Sequence, residues 1–175
     1  GLFKTAKIYV GRVENEYLEG RVRRKVYWGL YKLPQVHIEN DKTLIEDGEI
    51  FYIHDIKIEA FLVPGHTWGH LVYLIDDAYL FTGDTIWFGA DGGYAFLNTL
   101  AEDRKLQSVS LKRLEEKLKE RNLSLKIITG HTGWTDDFEF AFRHVDEICN
   151  ALRHKPKVQD PKAPFDGFDE SDDTE

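Results

Sequence analysis

Three times in this chain an apolar run ends at a glycine that is followed at once by a side chain able to bind a metal. Ala60-Phe61-Leu62-Val63 leads through Pro64 to Gly65-His66. Tyr79-Leu80-Phe81-Thr82 leads to Gly83-Asp84, and Lys126-Ile127-Ile128-Thr129 leads to Gly130-His131. Short apolar, β-branched or aromatic runs bounded by glycine read as buried strands. Glycine lets the chain turn off a strand without a Cβ penalty. Taken singly, a His or Asp after such a glycine is a turn residue closing a strand. Three strand ends that bring His, Asp and His to one sheet edge are instead a ligand set for zinc, iron or manganese.

The 175 residues, 42% hydrophobic and 31% charged, suit one soluble domain with its own core. No apolar run approaches the roughly 20 residues that span a bilayer, and no secretory leader is legible. The expectation is a cytoplasmic protein with no membrane partner. The single Cys149 excludes an internal disulfide and a cysteine zinc cluster, and in a helical apolar pattern it reads as a buried, inert thiol. The formal charge is −8, and the stretch from Lys155 onward, with three Lys and seven acids, carries about half of it. An acidic protein repels phosphate backbones. The only basic cluster, Arg21-Val22-Arg23-Arg24-Lys25, reads as a solvated helix end or loop, so no nucleic-acid partner is expected.

Ala6–Val10, Ile50–Ile53, Ile56–Leu62, Leu71–Ile75, Ala78–Thr82 and Leu123–Thr129 read as strands, with Asp76-Asp77 as a turn. Glu14–Gly20 reads as a short helix and Val26–Pro34 as an aromatic connector. Thr99 and Glu102 form a capping box for a helix reaching about Arg121, with Leu111, Leu114 and Leu118 on one face. A further helix is expected from Thr135, because Phe138, Phe142, Val145, Cys149 and Leu152 recur at three- and four-residue steps. This order packs helices against sheets. Residues 1–154 read as the folded domain, and 155–175, rich in Pro and acids, as a poorly ordered tail.

VPGHTWGH (63–70), FTGDT (81–85) and ITGHTGW (128–134) together resemble the later metal motifs of the metallo-β-lactamase superfamily, in the manner of its hydroxyacylglutathione-hydrolase-like branch. Eighteen residues separate His66 from Asp84 and 47 separate Asp84 from His131, room for a helix and a strand in the second gap. The resemblance runs from about Ala6 to Leu152 and implies an α/β fold, the αββα sandwich. It implies that His66 ligates a first metal and His131 a second, with Asp84 bridging both as the residue on which catalysis depends. His70 then supports the loop or lies near the pocket. Tyr94 and Trp134, with Trp87, Phe88 and Phe96, follow the motifs closely enough to touch a substrate, although aromatics are also ordinary core residues. The implied cofactor is a pair of divalent ions, zinc foremost, with iron or manganese as alternatives.

The implied activity is that of a metal-dependent hydrolase, in which a metal-bound hydroxide cleaves an ester, thioester, lactone or amide of a small acyl substrate. Only a short segment follows His131, so the C-terminal helical domain that binds glutathione in glyoxalase II is missing and glutathione is not the expected specificity. The alternative is a degenerate, non-catalytic member that keeps the fold for binding or structure. A nuclease comes third, disfavoured by charge. The superfamily's upstream HxHxDH motif is not found in residues 1–175. The chain is therefore expected to be an N-terminally incomplete piece of the sandwich, whose partner is an N-terminal segment of the same protein. Alone it is expected to bind metal weakly, to be inactive, and to expose apolar surface.

Overall fold

The computed structural model describes residues 6–148 apart from 28, 35–37, 39 and 97–98. Trp28, His37, Cys149, Leu152, His154 and the tail 155–175 lie outside the described residues.

The alternating apolar runs assemble a six-stranded sheet ordered β12-β11-β8-β7-β6-β5. Its strands are β5 (Ile50–Ile53), β6 (Ile56–Leu62), β7 (Leu71–Ile75), β8 (Tyr79–Gly83), β11 (Lys126–Thr129) and β12 (Trp134–Thr135). β8 and β11 are parallel, and every other neighbouring pair is antiparallel. The β7–β8 hairpin turns at Asp76 and Asp77, both at positive φ (50° and 54°), the conformation that matches the twist of two-residue hairpins and that Asp tolerates. Because side chains alternate along a strand, Phe61, Val72, Leu74, Leu80 and Ile127 all fall on one face.

That face is buried under α2 (Arg104–Lys119), whose Leu111, Leu114 and Leu118 join the same core. A smaller sheet completes the layer, ordered β13-β10-β9, from β9 (Ile86–Phe88), β10 (Gly93–Ala95) and β13 (His144–Ile148). The opposite face of the large sheet is also apolar but far more open. Phe51, Ile53, Ile58, Tyr73, Ile75 and Phe81 line a cleft there of about 340 Å³. β1 (Ile8–Gly11), paired in parallel with β4 (Lys42–Ile45), reaches its rim through Tyr9, which stacks on Phe51 with ring centroids 5.4 Å apart.

Several elements differ from the sequence reading. The cap of α2 is Asp103, whose carboxylate accepts from the Lys105 and Leu106 amides at 3.0 and 2.9 Å, so the Thr99–Glu102 box does not open the helix. The last helix, α3, spans only Phe138–Phe142 and gives way to β13. Val145 is buried from a strand rather than a helix, because β13 pairs in parallel with β10. The connector contains a small antiparallel pair, β2 (Lys25–Val26) with β3 (Tyr31–Lys32), following α1 (Arg12–Leu18).

Candidate metal centre

The three strand–glycine–ligand repeats converge. His66 follows β6, Asp84 follows β8 and His131 follows β11. The two carboxylate oxygens of Asp84 divide between the imidazoles: Oδ2 lies 3.6 Å from His66 Nε2 and Oδ1 lies 3.2 Å from His131 Nε2. Two ligand atoms about 2.1 Å from one tetrahedral ion are themselves about 3.4 Å apart, so both separations suit a pair of donors to one cation. A carboxylate that sends one oxygen each way is placed as a bridging ligand must be. Gly130 makes this approach feasible, since a Cβ there would stand 2.2 Å from Asp84 Oδ1.

By the chemistry of its donors the set could serve divalent cations, with one imidazole and one Asp84 oxygen on each side. Among the described residues no group of three or more His, Cys, Asp or Glu side chains is arranged to hold an ion, so each shell is partial.

His66 is 4% exposed. Burial first, then the neighbouring Arg24, His70 and His131, push its pKa down to about 2, so the ring is neutral. Arg24 Nη2 approaches His66 Nε2 at 2.5 Å and donates to the Leu100 carbonyl at 2.9 Å. A guanidinium only donates, so Nε2 is the acceptor and the proton sits on Nδ1, which is buried without a partner among the described residues. The basic cluster is therefore not wholly solvated, and only the charge of Arg24 hints at this long-range contact in the sequence.

The loop that carries His66 is anchored from several sides. Thr67 Oγ1 donates to Glu14 at 2.6 Å. Glu102 accepts from the Tyr17 hydroxyl and from the Trp68 and Lys25 amides. Burial raises the pKa of both Glu14 and Tyr17, and for Glu14 the Thr67 hydroxyl offsets part of that rise. Gly65, at φ +141°, lets the loop lie against α2, where a Cβ would stand 2.3 Å from Gln107 Cβ. His70 lies behind His66, edge-on with centroids 5.7 Å apart, and its Nε2 meets the Thr82 carbonyl at 3.1 Å. Its pKa is lowered, chiefly by burial.

Phe96 forms the wall of the centre, 5.3 Å from the His66 ring and stacked 5.7 Å from that of His131. Trp87 stands beside it, 6.4 Å from His131. Tyr94 is placed otherwise: its ring stacks on His144 at 4.7 Å and its hydroxyl meets Asp91 at 3.0 Å. Trp134 lies on β12 under the Lys126 ammonium, 4.3 Å from its ring centroid.

No protein-family model matches the chain. It is 29% identical over 133 residues to a hydroxyacylglutathione hydrolase of Pelagibacter ubique, covering 75% of this chain and 52% of that protein. It is 33% identical over 92 residues to one from Maricaulis maris, covering 50% and 34%. A probable polyketide-biosynthesis zinc-dependent hydrolase of Bacillus velezensis is 41% identical over 59 residues, 34% of this chain and 26% of that protein. The chain spans about half the length, or less, of these curated relatives. Among solved structures, an archaeal metallo-β-lactamase superfamily protein from Sulfolobus tokodaii superposes with a TM-score of 0.53 at 21% identity, covering 87% of this chain and 60% of the other. A B3 metallo-β-lactamase gives 0.54 at 19%, covering 75% and 60%.

Proposed function

We propose that this chain, which has part of the metallo-β-lactamase fold and is similar in sequence to hydroxyacylglutathione hydrolases, belongs to a metal-dependent hydrolase of small acyl substrates. The observation that carries the reading is the split of the Asp84 carboxylate between His66 and His131. His66, Asp84 and His131 would hold divalent cations, whose chemistry when bound would be to activate a water and polarise a carbonyl, as the cleavage of esters, thioesters and lactones requires. Zinc is the metal we assign, in keeping with the zinc-dependent relative.

The chain's own residues have distinct tasks in this reading. The ring nitrogens of His66 and His131 would donate lone pairs, and Asp84 would offset part of the charge of both cations. His70 holds the Thr82 carbonyl at the start of the Asp84 turn. Phe96 and Trp87 form an apolar wall that limits water beside the ligands. The remaining donors, and cover for the open apolar face of the large sheet, would come from a further segment of the same protein.

The test is hydrolysis of a panel of thioesters, lactones and esters by the zinc-loaded protein that includes the further segment, wild type and Asp84→Asn, with metal content measured for both. Loss of metal and of activity together supports the reading. Full metal and full activity in Asp84→Asn would sink it. A second reading, a non-catalytic member of the fold, is favoured by the two-donor shells and by Arg24 lying against His66. It predicts no turnover of any panel member by metal-loaded wild type.

A further inference from the structure

We infer that Arg24 is a built-in competitor for the metal position at His66, occupying the ligand lone pair with a guanidinium N–H until a cation displaces it. The inference rests on the reading of His66 as a metal ligand.

An imidazole nitrogen that lacks a proton has a single in-plane lone pair. Arg24 Nη2 stands 2.5 Å from His66 Nε2, close to where an ion about 2.0–2.1 Å from that nitrogen would sit. The two cannot share the lone pair. The guanidinium does not titrate away at any ordinary pH, so it leaves only by moving.

Arg24 is also incompletely held. Nη2 divides itself between His66 and the Leu100 carbonyl, while Nε is buried with no partner among the described residues. It borders a cleft of about 150 Å³, lined also by Glu14, Tyr17, Val22 and Pro34. The carboxyl of Glu14 gives a displaced guanidinium an acceptor there. Arg24 thus has one place when the lone pair is free and a second when a cation takes it. Metal affinity at the His66 position is then lowered by the work of moving Arg24, whereas the His131 position has no such competitor among the described contacts.

The experiment is zinc titration of the chain of residues 1–175 against a chromophoric chelator, for wild type, Arg24→Gln, Arg24→Lys, Arg23→Gln and His66→Ala, each checked for folding by circular dichroism. Releasing a charged hydrogen bond should tighten binding of the first zinc in Arg24→Gln by about ten- to a hundredfold. Arg23→Gln should match wild type, and His66→Ala should bind more weakly than wild type. If Arg24→Gln does not fold, Arg24→Lys carries the test, because the shorter side chain ends before the point from which Nη2 reaches both His66 and Leu100, and zinc should again bind more tightly. Imidazole ¹⁵N spectra of the metal-free protein supply an independent readout: the His66 Nε2 signal should move in Arg24→Gln and stay in place in Arg23→Gln. Equal zinc affinity in wild type and the Arg24 variants, with loss in His66→Ala, overturns the competitor while leaving the metal reading intact. Equal affinity in wild type and His66→Ala overturns both.

Discussion

The two halves of the candidate centre share Asp84 and little else. His66 is 4% exposed, capped by Arg24, backed by His70 and tied through Thr67, Trp68 and Glu102 to α1 and the segment after it. The His131 side chain is 56% exposed and rests on Phe96, with the Asp84 carboxylate 3.2 Å from its Nε2. One ligand is built into the core and the other stands on a surface turn. A buried ligand is preorganised but hard to desolvate as a cation, whereas an exposed one adapts easily and holds less firmly.

The sharpest way to break that contrast is to remove what the halves share. Asp84→Asn keeps the size of the side chain and takes away its charge. In the protein that includes the further segment, metal should be lost from both positions and hydrolysis should fall by more than about 1,000-fold, several kcal/mol of lost stabilisation. Metal analysis with kinetics on a thioester decides this. Loss confined to one position would show that Asp84 serves one half alone.

The two glycines ahead of the histidines separate the halves next. In Gly65→Ala the new Cβ meets the α2 backbone at Gln107, 2.4 Å from its Cα, at a φ of +141°. Chemical denaturation should show a loss of about 3 kcal/mol. In Gly130→Ala the severe contact of the new atom is with Asp84 Oδ1 at 2.2 Å, the Gly83 backbone following at 3.2 Å, and the carboxylate has room to turn because its side chain is 36% exposed. The expected loss is about 1 kcal/mol, with zinc affinity reduced more than stability. Equal destabilisation by the two would remove the distinction between a core ligand and a surface ligand.

A gentler probe is His70→Ala, which removes the group behind His66 and leaves the His131 side untouched. Activity or metal affinity should fall about 10–100-fold, well short of the Asp84→Asn effect. The smallest effect sought is on pH dependence. His66 is neutral in the fold, with a pKa near 2, and near 6.5 when unfolded. The unfolded chain therefore binds the extra proton below about pH 6.5. Stability is fully present above that value and falls as the pH drops through the window toward 2, by up to about 1.4 kcal/mol per pH unit from this group. His70 shifts in the same direction through burial. Melting curves between pH 7 and 5 should show the decline, and His66→Asn should flatten it.

How much of this was legible in the chain follows from the range of each signal. The glycine-terminated strands, the Asp76-Asp77 hairpin and the Leu111, Leu114, Leu118 stripe are local patterns, and each forms where its residues place it. The Phe138–Phe142–Val145 spacing is local too, and it suggested a longer helix. Pairing of β13 with β10, about fifty residues away, overrode it. The cap of α2 went to Asp103 over Thr99 because the Asp103 carboxylate reaches two free amides of the first turn. Trp87 and Phe96 stood among the aromatics that follow Asp84, and only the fold shows that these two, and not Tyr94, flank the histidines. Arg24 lies 42 residues before His66 and looked like one charge in a solvated cluster. Nothing within its own segment encodes that contact.

The central claim is that His66, Asp84 and His131 act as one two-cation centre. Titrating zinc into the ¹⁵N-labelled chain while following every histidine ring nitrogen tests it most directly. The account predicts that the Nε2 signals of both His66 and His131 shift, with weak affinity because each position has two donors, while those of His54 and His144 stay in place. It also predicts that Asp84→Asn abolishes both shifts. Zinc that moves only one of the two rings, or moves neither while binding elsewhere, would contradict it.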